Sequence, residues 1–374
     1  MKKFLLLILI GFVVYISWPT INEAINEKAD GTAIQQFKSD IQDTDFQSIA
    51  QTIATGFNSI IMDVEQLIKD RPANDSETER IEKPELTTPD EKSISVYNLE
   101  IGDKRSDVEE TIGHPQRSTR NEYGTTWHAY HENYQRFIMV SYDENEIVNG
   151  LYTNQDLISS SNGIKYGLTK AEVANILGEP LANIRKGLTY YQFASDSDYD
   201  VFELDGSYVT VFYDVHKNNT ITSIQILAEE MEQNKAGFYG EPTQELKEGF
   251  EFQLFDLANA ERVNHQIPVM TWDDPVRETA REHSADMAAN NYFSHDNLEG
   301  QSPFDRMKSD DIRFRTAGEN LAYGQFSSIF AHEGLMNSEG HRKNILKKDY
   351  QLLGVGVAFN DTNQPYFTQN FYTK

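Results

Sequence analysis

Three polar segments in the last third of the chain carry the side chains best suited to chemistry. Tyr292-Phe293-Ser294-His295 leads into Gly300-Gln301-Ser302-Pro303-Phe304-Asp305-Arg306, Gly318-Glu319-Asn320-Leu321-Ala322 follows, and Asn337-Ser338-Glu339-Gly340-His341-Arg342-Lys343-Asn344-Ile345-Leu346 is the third. Imidazoles and carboxylates of this kind can ligate a cation, orient a water or hold a polar ligand. Other chemistries are excluded. The chain has no cysteine, so it has no disulfide, iron–sulfur cluster, thiolate zinc site or cysteine nucleophile. His332-Glu333 starts like a metalloprotease helix, but position 336 is Met and the H-E-x-x-H pattern is absent. There is no G-x-S-x-G elbow, and nothing in the sequence places Ser294 or Ser302 as a nucleophile.

These segments need a scaffold, and residues 244–374 supply one. Phe250, Leu254 and Leu257 step along a first helix at four- and three-residue intervals. Pro275, after Asp273-Asp274, opens a second helix whose inner face carries Val276, Ala280, His283 and Met287. Leu353, Val355, Val357 and Phe359 alternate as a strand, Asp361 to Gln364 turn, and Pro365 to Phe371 return beside it. Helices with an antiparallel hairpin predict an α-β-α layered unit.

Together with Thr271-Trp272, His283-Ser284-Ala285-Asp286-Met287 and Thr368-Gln369-Asn370-Phe371, the polar segments resemble the CAP superfamily in its bacterial secreted form. This is the cysteine-rich secretory, antigen 5 and pathogenesis-related-1 group. The resemblance implies a cleft lined by two histidines and acidic residues, which carry over as His295, Glu319 and His341. The family has a second glutamate shortly after an aromatic on the intervening helix. Here Leu335 holds the aromatic position and the nearest glutamate, Glu333, is offset, which makes it the candidate fourth member. Two imidazoles and a carboxylate suit zinc or another divalent metal with open positions. Separations of 24 and 22 residues are no local ligand motif, so the fold has to gather the three groups. The alternatives are a hydrogen-bonded network that knits loops over the core, and a hydrolytic, peptidase-like site.

Upstream, residues 94–230 contain an internal repeat. Gly102, Val108, Gly113 and Pro115 recur 65 residues later as Gly167, Val173, Gly178 and Pro180. Each copy offers a helix with an N-cap candidate (Ser106, Thr169) and a Gly-x-Pro stop, followed by alternating aromatic strands. The expected fold is α+β by duplication, and the pattern is similar to the CAP-associated N-terminal domain of Firmicute proteins. Its aromatic sheet serves either core packing or recognition of a second protein.

The remaining organisation concerns the cell envelope. Lys2 and Lys3 precede an uncharged run from Phe4 to Trp18, which predicts a signal-anchor or a cleaved signal peptide over 1–21. Apolar residues at helical spacing predict a stalk over 22–70, and the proline-rich, charged stretch 71–93 predicts a flexible linker. The net charge of −26 opposes binding to nucleic acid, leaving membrane contact to the N-terminal segment alone. The sequence therefore points to an extracytoplasmic, Gram-positive envelope protein that is membrane-anchored or secreted. Its cleft is expected to bind a divalent cation, a peptide, a lipid or a wall-derived ligand. Hydrolysis, or protein interaction through the duplicated sheet, is the alternative.

Overall fold

The computed structural model describes residues 80–194 and 197–374. The expected signal-anchor, stalk and first part of the linker (71–79) lie outside the described residues. Among the described residues no helix is long and apolar enough to cross a membrane. From residue 80 the expectation of a flexible linker is corrected. The Ile81 N–H donates to Gln135 Oε1 at 2.8 Å, Arg136 donates to the Glu82 carbonyl, and the Glu100 carboxylate accepts the N–H groups of Asp90, Glu91 and Lys92. Side chains of the folded part supply the partners, so the segment is held without a core of its own.

The repeat is visible in two short helices, α1 (Arg105–Ile112) and α2 (Lys170–Leu177). Each stops at a glycine, Gly113 and Gly178, with φ of 80° and 84°, where a side chain would be strained. Thr169 caps α2, as the sequence predicts, and Glu172 completes a reciprocal box with it. Ser106 does not cap α1, which begins after Lys104 with no side-chain cap. The first free N–H, that of Arg105, instead meets the Glu146 carbonyl at 2.9 Å.

After the short strand β1 (Ile94–Val96), the first copy adds β2 (Arg117–Arg120), β3 (Thr126–Glu132), β4 (Gln135–Tyr142) and β5 (Val148–Thr153). Next, β6 (Ile158–Ser160) pairs with β1. The second copy supplies β7 (Asn183–Lys186), β8 (Thr189–Gln192), β9 (Tyr199–Leu204), β10 (Ser207–Asp214) and β11 (Thr220–Ala228). The copies join edge to edge in one seven-stranded sheet of order β2-β3-β4-β5-β11-β10-β9, with Leu151 opposite Ile226 at the seam. The symmetry breaks at β7 and β8, which pair with each other as a separate hairpin. Period-two alternation gives the large sheet two buried faces. Ile138, Val140, Ile224 and Ile226 lie in a core with Val108 and Val173 of the short helices, whereas Trp127, Phe137, Met139 and Phe212 belong to another core.

That second face meets the C-terminal half. Following α3 (Glu229–Asn234), the chain runs through α4 (Gln244–Asn264), β12 (Thr271–Trp272), α5 (Asp274–Asn290), α6 (Pro303–Ser309) and β13 (Thr316–Tyr323). It ends in α7 (Ser328–Asn337), α8 (Glu339–Ile345), β14 (Leu352–Phe359) and β15 (Pro365–Thr373). The sheet order is β12-β14-β15-β13, which leaves β13 on an edge. Val355, Val357, Phe367 and Phe371 pack with α4, α7 and Ile345 on one side; Leu321, Ala358 and Tyr366 meet Met287 of α5 on the other. This is the α-β-α layering the sequence predicts.

Helix α4 has to satisfy two sheets at once. Leu246, Phe250 and Leu254 join the C-terminal core, while Leu257 and Ala260 join the core under Trp127. A Cβ at Gly249 would fall 2.1 Å from the Arg120 carbonyl oxygen, so only glycine lets α4 lie this close to β2. Two buried charges fix the helices around the site. Glu251, fully buried, accepts from Arg277 and Arg281 of α5 at 2.6 to 2.9 Å. Arg262 donates to the carbonyls of Pro268, Ile345, Lys347 and Tyr350, which ties α4 to the end of α8. With no carboxylate nearby, burial pushes its guanidinium down to about 10.

Candidate functional site

The site forms at the edge strand β13. Glu319 projects toward the α5 and α6 side, and its side chain is 1% exposed. Both of its oxygens are used. His295 Nδ1 lies 2.9 Å from Oε1, and Arg306 Nη2 donates to Oε2 at 2.6 Å. Arg306 is itself buried and sends Nη1 to the carbonyls of His295 and Gln301 at 2.7 and 3.0 Å. The segment leading to Arg306 is locally encoded. Ser302 caps α6 in a reciprocal box with Asp305, and Pro303 occupies the first turn. His283 of α5 holds the other end of the loop through Nε2 and the Ser294 carbonyl at 2.9 Å. Burial lowers its pKa, keeping the ring neutral.

His295 is thereby fixed at its base and open at its tip, with 53% of its side chain exposed. Since a carboxylate only accepts, Nδ1 carries the proton, and in the neutral ring Nε2 is left as an acceptor facing outward. His341 comes from α8 on the opposite helical layer. Burial, and then the charge of the nearby His295, push its pKa down, so it is neutral at pH 7. The backbone around it is pinned. The buried Asn320 donates to the His341 carbonyl and to Gln369 Oε1, both at 3.1 Å, and Asn344 donates to Asn320 Oδ1 at 2.9 Å and to the Glu319 carbonyl. The asparagines of the Gly-Glu-Asn and Gly-His-Arg-Lys-Asn segments thus join the two layers.

The structure brings His295 and Glu319 into contact and His341 close to His295. Glu333 is placed elsewhere. It sits on the face of α7 that carries Ile329, two residues out of phase with Ala331 and Leu335 of the C-terminal core. Its Oε1 accepts from Tyr152 Oη at 2.7 Å and Ser223 Oγ at 2.6 Å, both from the first sheet. Burial raises it to about 8. Glu333 is a residue of the junction between the halves, and its reading as a fourth cleft residue is corrected.

Glu319 itself is not free to ligate the expected divalent cation. A cation on Glu319 would have to displace Arg306, whose buried positive charge already fills that role, and Nδ1 of His295 is committed to the same carboxylate. Among the described residues no group of three His, Asp or Glu side chains is assembled to hold a metal. Nor does a serine complete a hydrolytic set. Ser302 Oγ is bonded to Asp305 in the α6 cap, and Ser294 Oγ accepts the Asp296 N–H at 3.2 Å. Arg306 is the functional residue that sequence reasoning did not single out. Its one local signal is a cation four residues beyond the Ser302 cap in an otherwise acidic segment.

Comparison with known proteins agrees with this architecture. Residues 101–238 match the CAP-associated N-terminal family and residues 255–371 the cysteine-rich secretory protein family. An uncharacterised membrane protein of Bacillus subtilis, YlbC, is 30% identical over 291 residues, covering 72% of this chain and 82% of its own. A second uncharacterised protein of that bacterium, YkwD, is 40% identical over 125 residues, which is 33% of this chain and 48% of its own. An extracellular protein from Bacillus anthracis containing an SCP domain superposes with a TM-score of 0.65 at 26% identity, covering 79% of this chain and 100% of that one. A cysteine-rich secretory protein from Staphylococcus aureus, at 18% identity and a TM-score of 0.61, covers 77% of this chain and 95% of its own and shares the fold.

Proposed function

Because the chain belongs to the cysteine-rich secretory protein (CAP) family, with a CAP-associated domain ahead of it, we propose that it is an extracytoplasmic binding protein of the cell envelope. Its cleft, formed by His295, His341 and Glu319, takes a wall-derived peptide or glycan. The membrane and extracellular descriptions of its relatives support the compartment, and the apolar run behind Lys2 and Lys3 would tether the chain there. One observation supports the ligand class. A solvent-facing imidazole is held by a carboxylate and a guanidinium that are both buried, beside the imidazole of His341, which burial keeps neutral. A neutral imidazole offers an acceptor, and wall peptides and sugars are rich in N–H and O–H donors. A fixed acceptor loses little freedom on binding. Since neither nearby serine is poised as a nucleophile, binding is favoured over turnover.

The test is co-sedimentation of the full chain with purified Gram-positive wall sacculi, followed by competition with soluble muropeptides. The wild type pellets and is displaced. A His295→Ala/His341→Ala double variant should pellet about tenfold less, as expected for loss of two hydrogen bonds. Acid should weaken binding as the His341 ring protonates. Undiminished pelleting of the double variant, or release of new reducing ends or amines by the wild type, would refute the reading.

A further inference from the structure

Two buried side chains behind the cleft are only partly satisfied. Arg306 spends its Nη atoms on Glu319 and on the carbonyls of His295 and Gln301, but its Nε has no hydrogen-bond partner. His283, 1% exposed, is in the same state. Its Nε2 lies 2.9 Å from the Ser294 carbonyl and must donate to it, so Nδ1 of the neutral ring is an acceptor, and it too has no partner. A donor and an acceptor screened from bulk water are costly unless something joins them.

Both side chains line one pocket, bounded by α5, α6 and the loop between them, with a volume of about 480 Å³. That size is ordinary for a small-molecule site. Its wall is acidic. Glu282 and Asp286 flank His283 on α5, Glu299 comes from the loop, and Asp310 follows α6. Thr279 donates to Asp310, and Tyr292 and Asn290 donate to Asp286. The side chains of Glu282 and Glu299 have no partner among the described residues. The one cation on the wall is Arg306, whose charge Glu319 already balances. Four carboxylates therefore set the field, and they favour a cationic occupant.

The orphaned atoms narrow the choice. Nδ1 of His283 calls for an N–H, which a protonated amine offers and a quaternary ammonium does not. Nε of Arg306 calls for an oxygen acceptor on the same ligand, which a bare metal ion does not carry. A free amino acid brings a carboxylate that the acidic wall repels. An ammonium with a carbonyl on the neighbouring carbon answers both atoms, and the amino end of a peptide is that group.

We propose that this pocket binds the amino terminus of a peptide, with the α-ammonium donating to His283 Nδ1 among the carboxylates and the first carbonyl oxygen accepting from Arg306 Nε. The proposal does not rest on the reading of the cleft at His295.

The experiment is calorimetric titration of the full chain with alanylalaninamide at low ionic strength. One-to-one binding is expected, and acetylation of the peptide's amine should abolish the heat. His283→Phe should weaken binding about tenfold, as for loss of one hydrogen bond to a charged group. Glu282→Gln/Glu299→Gln changes only exposed side chains, so it folds whatever becomes of the buried variant, and it should weaken binding about fivefold, as for loss of two solvent-screened charges. Absence of heat from the free amine, or equal heats from the free and the acetylated peptide, would overturn the proposal. Wild-type affinity in Glu282→Gln/Glu299→Gln would do the same. Glucosamine sets its ammonium beside hydroxyls, with no carbonyl, so tighter binding of glucosamine than of the peptide would show an amino-sugar site in place of a peptide site.

Discussion

Replacing Glu333 with glutamine tests the junction between the halves through pH. In the folded chain Glu333 is buried between α7 and the first sheet, and its carboxyl group titrates near 8 against an ordinary value of 4.5. The folded state therefore holds a proton that the unfolded state releases. The corresponding stability is fully present below about 4.5 and is lost as pH rises through the window up to about 8. One proton across this window is worth about 1.4 kcal/mol per pH unit, so the wild type gives up roughly 2–3 kcal/mol between pH 5.5 and 7.5 on this account alone. Glutamine keeps an acceptor for Tyr152 and Ser223 and cannot ionise, so Glu333→Gln should not show this loss. Urea unfolding of both proteins at pH 5.5, 6.5, 7.5 and 8.5 measures the difference directly. Local damage from the amide would add a constant offset, whereas the titration appears as a slope. Two stability curves that run parallel within about 0.5 kcal/mol would refute the account of a protonated junction carboxyl.

Two other outcomes concern the cleft. Arg306→Met should cost about 3–5 kcal/mol in urea unfolding by stranding the buried Glu319, and adding Glu319→Gln should recover part of it; a loss under about 1 kcal/mol would mean the pair does not hold the loop. Calorimetric titration of zinc chloride into the wild type and His341→Ala should give equal heats if a cation needs Glu319 as a ligand, while a one-to-one heat confined to the wild type would show the two imidazoles holding it without that carboxylate.

What the sequence disclosed, and what it hid, follows from how local each interaction is. Helices α1 and α2, the N-cap at Thr169 and the C-terminal hairpin are written in neighbouring residues and are legible in the sequence. The short polar strands β2 and β7 carry no alternating aromatic pattern. β2 is a short polar stretch whose place is set by α4 from another domain, and β7 departs from the sheet to make its own hairpin. The side chains of Glu82 to Lys92 look soluble and unstructured, yet partners many residues away hold their backbone. Family resemblance located His295, Glu319 and His341, but the status of Glu333 depends on which face of α7 meets which sheet. With Ala331 and Leu335 facing one sheet and Ile329 the other, α7 lacks the polar stripe that would have oriented it. Arg306 was hidden for a related reason. Its worth comes from a carboxylate on a strand that the intervening loop returns to only in three dimensions.

The sandwiching of α4 between two sheets has an evolutionary consequence. A boundary between residues 230 and 244 divides the polypeptide, but it does not divide the solid, because Leu257, Ala260 and Ile329 are covered by the upstream half. Any descendant that shed the first half would expose a greasy stripe at those positions and would have to recolour it with polar residues or recruit another cover. Substitutions at these sites are therefore expected to track the presence of the upstream module.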